Sequence, residues 1–167
     1  MTVGDIFMDV FEEDGQNYRD FYIKHKLSTG QTMTMSFQET YHENHTIHWN
    51  IFLELYSKRK HADHNIDAKL VTGKSSLESF VVARRMFLLL QEYIVNDMDL
   101  DCDKIIFCQW VDNRRREAYF KVLRRYGYEY GTLFGEKVIF RRFGKDERID
   151  ADGKTQRDSS AVPGFSA

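Results

Sequence analysis

Residues 46–57 alternate: Ile47, Trp49, Ile51, Leu53 and Leu55 fall on one side, while His48, Asn50, Glu54 and Tyr56 fall on the other. A period of two over that length is the signature of a β-strand with one dry face and one wetter face. A sheet needs further strands and something to cover its dry face, so this segment fixes the terms on which its neighbours fold.

Those neighbours supply both. Residues 17–26 and 31–39 are rich in Tyr, Phe, Thr and Met around Leu27-Ser28-Thr29-Gly30, and Met33, Met35 and Phe37 alternate with Thr32, Thr34 and Ser36, which predicts a hairpin. Downstream, Ile66–Val71 reads as a short strand, followed by the turn Thr72-Gly73-Lys74-Ser75-Ser76. From Ser76 to about Val95 the spacing predicts a long helix, with Ser75 and Glu78 as a capping box and Phe80, Ala83, Phe87, Leu90 and Ile94 as its apolar stripe, widened by Leu77, Val81 and Leu88. The nearly unbroken apolar run 104–111 predicts a central strand covered on both faces. A second helix starts at Asp112 or Asn113 and stops at Gly127, and a hairpin follows from Tyr128–Phe134 to Lys137–Phe143.

The two ends are less regular. Val3, Ile6, Phe7, Val10 and Phe11 recur at helical spacing behind a Thr2–Asp5 capping box, with Gly15 as a stop, so residues 3–13 are expected to form a short amphipathic helix. After Phe143 the periodicity fades, and residues 144–167 are expected to be a flexible polar tail behind a single domain spanning 1–143.

A chain of 167 residues has material for one core. Its 24 basic and 26 acidic residues leave a net charge of −2, so no global field draws it to nucleic acid or an anionic membrane. No stretch approaches the roughly 20 apolar residues of a membrane span, and the first ten residues lack a basic region followed by an apolar run. Cys102 and Cys108 lack metal or redox spacing and read as reduced thiols, which fits a cytoplasmic location.

The order strand, Gly-containing turn, long helix, central strand, second helix, hairpin, together with Lys121-Val-Leu-Arg-Arg-Tyr-Gly-Tyr128, resembles the acyl-CoA-binding half of the GNAT acetyltransferases over about residues 46–143. The resemblance implies an α/β (α+β) fold with a mixed, mostly antiparallel sheet flanked by helices, and acyl transfer from acetyl-CoA to a primary amine on a small molecule or protein. It places Thr72, Gly73, Lys74, Ser75 and Ser76 against the pyrophosphate, where helix N-terminal amides favour anions. Asn113 or Arg116 would occupy the position where the family's second helix commonly begins with Asn, and Arg115 is a further cofactor-side cation. The chain has Leu123 where many members carry a general-acid Tyr, so Tyr119 and Tyr126 stand as substitute acids, with Glu54 as base. A fainter likeness, through the Thr-Gly turn and Arg115-x-x-x-Tyr119, is to small bacteriophage proteins, which implies self-association or a virion partner.

Competing signals remain open at this level. Ala68–Ser75 fits a relaxed phosphate-loop pattern, though the stretch before Gly73 lacks the small residues that wrap a triphosphate. His42, His45 and His48 are spaced in threes, which on a strand turns neighbours to opposite faces; no metal site is expected there. Arg114, Arg115, Arg116, Lys121, Arg124 and Arg125 form a cationic helix surface that would suit phosphates of coenzyme A or of a nucleic acid.

Overall fold

The computed structural model describes residues 1–56, 75–97 and 102–156; the Ile66–Val71 strand and most of the Thr72–Ser76 turn lie outside them. Nine strands and two α-helices are present among the described residues: β1 (Phe7–Glu13), β2 (Gln16–Lys26), β3 (Thr32–Glu43), β4 (Thr46–Tyr56), α1 (Ser75–Glu92), β5 (Asp103–Cys108), α2 (Asn113–Leu123), β6 (Glu129–Leu133), β7 (Glu136–Phe143), β8 (Arg148–Ile149) and β9 (Thr155–Gln156). Seven of the strands form one sheet in the order β1-β2-β3-β4-β5-β7-β6. Every neighbouring pair is antiparallel except β4 and β5. The fold is thus a mixed α+β arrangement with a large, mostly antiparallel sheet. The single parallel pair requires a crossover, and α1 lies within that connection.

The expected helix over 3–13 is replaced by a 3₁₀ turn, Val3–Asp5, and strand β1. The Asp5 carboxylate does accept from the Thr2 backbone N–H at 2.6 Å, so the capping chemistry is real but stops after one turn. The conformation of residues 7–13 is decided by Asp14-Gly15, which takes positive φ at both residues, the geometry of a tight two-residue hairpin turn. Phe7 and Phe11, spaced for a helix face, instead stack across the hairpin on Tyr22 and Tyr18 at centroid distances of 5.5 and 5.6 Å.

One sheet face carries the main core. Phe21, Ile23, Met33, Met35, Phe37, Trp49, Leu55 and Ile106 pack against Val82, Met86, Phe87, Leu90 and Ile94 of α1 and its continuation, and against Leu123 and Tyr126. Helix α1 and its continuation bury Phe87, Leu90 and Ile94 of the expected stripe, and the core also takes Val82 and Met86, while Leu77 and Phe80 near the helix start are 73% and 57% exposed. Of the expected Ser75–Glu78 box, the Ser75 side chain lies outside what the structure describes, and the Glu78 carboxylate accepts from the Ser28 backbone N–H at 2.9 Å and from the Ser28 hydroxyl. The β2–β3 turn therefore holds the start of α1 on the sheet. Towards the other end of β2 and β3, Glu39 is buried and takes Arg19 at 2.9 Å, with the guanidinium 5.5 Å from the Trp49 ring centroid. Both helices lie on this face; on the other, Ile105, Phe107 and Val138 form a smaller cluster.

Of the tail expected from Gly144, residues 144–156 are described, and they are not loose; the rest lies outside the described residues. Strands β8 and β9 pair, Ile149 is fully buried, and Asn96 grips its backbone from both sides, donating to its C=O at 2.7 Å and accepting from its N–H at 2.9 Å. Arg141 adds donations to the carbonyls of Tyr126 at 2.6 Å and Gly153 at 2.9 Å. Polar composition hid this segment because its anchoring runs through side chain to backbone hydrogen bonds.

Lys104, at the start of β5, has 0% exposure, and its Nζ has no hydrogen-bond partner. Burial pulls its pKa below the usual 10.5. Replacing it with Met keeps the length and removes the stranded charge, so Lys104→Met is expected to raise unfolding stability by about 1–3 kcal/mol. The sign follows from linkage: the folded ammonium gives up its proton at lower pH than the unfolded one, so wild-type stability climbs with pH below 10.5. Thermal melts at pH 7 and pH 10 check both statements: the advantage of the variant shrinks at the higher pH.

Candidate functional site

The parallel ladder between β4 and β5 is short. It runs from Thr46–Asp103 to Asn50–Phe107, after which β4 continues to Tyr56 along β3 while β5 ends at Cys108. Beyond Asn50, one edge of β4 has no β5 partner among the described residues, and the two strands part into a gap.

A cleft of about 590 Å³ occupies that gap. Its first wall is β4, from Asn50 to Glu54, with Met35 behind it. Phe80, Ala83, Arg84 and Phe87 of α1 close one side. The end of β5 and the loop after it give Cys108, Gln109, Trp110 and Val111, and α2 gives Arg115, Ala118, Tyr119, Val122 and Leu123. Residues from both faces of β4 reach the cleft because it passes through the plane of the sheet. The lining is largely apolar, with a few polar groups converging on it, as in ligand sites generally.

The local sequence explains how those side chains are held. Asp112 caps α2, its carboxylate accepting from the Arg115 backbone N–H at 2.8 Å, and lies 3.7 Å from the Arg115 guanidinium. This fixes Arg115 at the mouth. Gly127 ends the helix with φ 80°, a conformation that suits glycine, and turns the chain into β6. On β6, Tyr130 stacks on Phe120 at 4.1 Å and meets Trp110 edge-on at 6.0 Å, which braces the tryptophan at the rim.

The expected site residues divide. Tyr119 and Glu54 both line the cleft, as does Arg115. Burial raises the Tyr119 phenol above its ordinary value, with Arg115 opposing the shift, so the side chain is a neutral donor at physiological pH. Glu54 accepts a short hydrogen bond from Tyr56, whose phenol is pushed up to about 12 by that bond and by burial. Tyr126 is not among the lining residues: it is buried against Phe87 at 5.6 Å, and its phenol oxygen accepts from Arg84 Nε at 2.5 Å. Its part is to position Arg84, which does line the cleft. Asn113 and Arg116 are not lining residues either; Asn113 is the first residue of α2 and Arg116 Nε is buried without a partner. Ser75 and Ser76 open α1, and Thr72, Gly73 and Lys74 lie outside the described residues.

Arg84, Trp110, Gln109 and Phe52 belong to the cleft and were not singled out by sequence. Trp110 ends an apolar run and so reads as core, and Arg84 sits within a helix whose facing is settled only by packing. Among the described residues, no group of three or more His, Cys, Asp or Glu is placed to hold a metal ion. His48 is buried against Phe134 at 5.0 Å, and His45 lies in the β3–β4 turn with positive φ. No described helix is long and apolar enough to cross a membrane. No family model, curated protein or solved structure matches the chain.

Cys108 lines the cleft yet is only 4% exposed, and burial pushes its thiol up to about 12. It is a packing residue rather than a nucleophile. In the native protein at pH 8, iodoacetamide is expected to label Cys102, which is partly exposed, well before Cys108, with equal labelling only after denaturation. Peptide mass spectrometry reads the ratio; prompt native labelling of Cys108 would contradict the assignment.

Proposed function

We propose that the cleft binds an acyl-CoA thioester and that the protein transfers its acyl group to a primary amine. The observation that carries this reading is the parting of β4 from β5 beside two helices. It leaves a largely apolar slot, one wall of which is an edge of β4 that no described strand pairs with, able to bond an amide-bearing arm, with Arg84 and Arg115 lining it for anionic groups. The order of the described elements β4, α1, β5, α2, β6 and β7, with the α2-to-β6 turn at Gly127, supports this reading.

Bound acyl-CoA would supply a thioester carbonyl. The chain's own residues would do the rest. Glu54 takes a proton from the incoming ammonium, freeing the amine for attack; a carbon–nitrogen bond forms as the carbon–sulfur bond breaks. Tyr119, kept protonated by its burial, donates to the departing thiolate and is restored by the proton the nitrogen sheds. The apolar walls exclude water, which strengthens both transfers and limits hydrolysis.

A second reading has its own observation. Strand β1 lies at one edge of the sheet with Phe7, Met8 and Val10 exposed, a surface prone to pairing with another chain. A non-catalytic assembly role would use that edge and leave the cleft idle.

Saturating acetyl-CoA separates the two. At a concentration 100 times its Kd it should stabilise the folded chain by about 2.7 kcal/mol, read as a rise in melting temperature. The absence of any shift at millimolar concentration removes the transferase reading. Tyr119→Phe is expected to keep that shift while slowing turnover by about 10²-fold or more, and Tyr126→Phe to lower stability with a far smaller effect on rate.

A further inference from the structure

The sheet face opposite the helices carries, across β1 to β4, a row of groups with a consistent chemistry. Asp9 and Asp20 are direct cross-strand partners. They lie between two aromatic pairs, Phe7 on Tyr22 and Phe11 on Tyr18. Two pleat repeats further along, Lys24, Thr34 and Glu54 form a second polar row in register. A shallow groove of about 400 Å³ joins Asp9, Asp20 and Thr34 to Glu54 and Phe52, the two residues that also line the cleft. The groove and the cleft therefore meet at Glu54.

Two atoms in this groove lack the partners that burial demands. Thr34 is 8% exposed, and its hydroxyl has no hydrogen-bond partner. One Asp20 carboxylate oxygen is likewise shielded and unpartnered. Burial, then the charges of Asp9 and Glu54, push Asp20 up to about 6. Lys24, the one cation lining the groove among the described residues, lies 5.5 Å from the Tyr22 ring centroid, and burial and the neighbouring Asp9 raise the pKa of the Tyr22 phenol. Three carboxylates against one ammonium leave a local excess of negative charge flanked by π faces, which together favour an organic cation.

Resting on the acyl-transfer reading, we infer that this groove is the acceptor site, and that it takes a linear aliphatic polyamine whose distal ammonium sits at Asp9–Asp20 while its reacting amine enters the gap at Glu54. The spacing of two pleat repeats calls for two cationic centres on an extended chain, and the Tyr22 ring, which lies between the two rows, receives the methylenes. Thr34 accepts from an ammonium along the way. The transfer stays balanced: polyamine ammonium plus thioester gives amide, free thiol and one proton, which leaves through Glu54 to solvent.

Isothermal titration of the full chain with spermidine, with acetyl-CoA melts on the same samples, tests this. At pH 8 spermidine is expected to bind at least tenfold more tightly than hexylamine, and the Asp9→Asn/Asp20→Asn variant to lose at least tenfold. Between pH 8 and pH 5 the wild type is expected to lose up to about tenfold, since an Asp20 titrating about one unit above pH 5 is mostly neutral there. The variant should melt no lower than wild type at pH 8, because it relieves like-charge repulsion. Equal affinity of variant and wild type, or equal affinity for hexylamine and spermidine, overturns the inference. An acetyl-CoA shift without spermidine binding overturns it while leaving acyl transfer standing; spermidine binding through Asp9–Asp20 without an acetyl-CoA shift supports the cation site and removes acyl transfer alone.

Discussion

The fold turns on a parallel strand pair that stops early. Five residue pairs join β4 to β5, and beyond Asn50 and Phe107 the two strands follow different neighbours. Antiparallel strands at both flanks keep pulling each away: β4 is zipped to β3 as far as Tyr56, and β5 to β7. Right-handed twist accumulates across such a sheet, so a break in the ladder widens into a gap instead of healing. The slot between α1 and α2 exists because the sheet is built from two antiparallel halves held by one short parallel seam.

The seam is held on one side. Trp49 and Ile106, partners in the ladder, face the common core beneath both helices, while Ile105 and Phe107 face the smaller cluster with Val138. Helix α1 is fastened at its start through Glu78 to Ser28, and its π-turn continuation, Tyr93–Asp97, is tied through Asn96 to the β8–β9 ribbon. The helix is thus anchored near its start and through its continuation, which holds the α1 wall of the cleft. Across β1 to β3 the opposite face alternates carboxylates with stacked aromatic pairs, Asp9 and Asp20 lying between Phe7–Tyr22 and Phe11–Tyr18.

Where the sequence was misleading, the error has an identifiable cause. Residues 3–13 satisfy a helical period, but their apolar side chains stay largely exposed, so no burial rewards the helix. The Asp14-Gly15 turn and the aromatic pairs to Tyr18 and Tyr22 make the strand instead. In α1 and its continuation the predicted stripe is buried at Phe87, Leu90 and Ile94, with Phe87 against Phe37; Val82 and Met86 face the core as well, and Leu77 and Phe80 in the first turns do not, because the covering partners lie far away in the chain. The two tyrosines at helical spacing, Tyr119 and Tyr126, looked alike; a 3₁₀ turn at Arg124–Tyr126 rotates the second into the core.

The sequence alone determined the strand alternation from Thr46 to Tyr56, the buried strand at Asp103–Cys108, the capped helix from Asn113 to its glycine stop and the final hairpin, because each rests on local periodicity and turn chemistry. It also marked Glu54, Tyr119 and Arg115. Tertiary structure decided what those residues share. Pairing partners and their register are not local properties: only the assembled sheet shows that β4 and β5 separate after five pairs, that Arg84 and Trp110 close the gap, and that Asp9, Asp20 and Thr34 line a groove leading to the same glutamate.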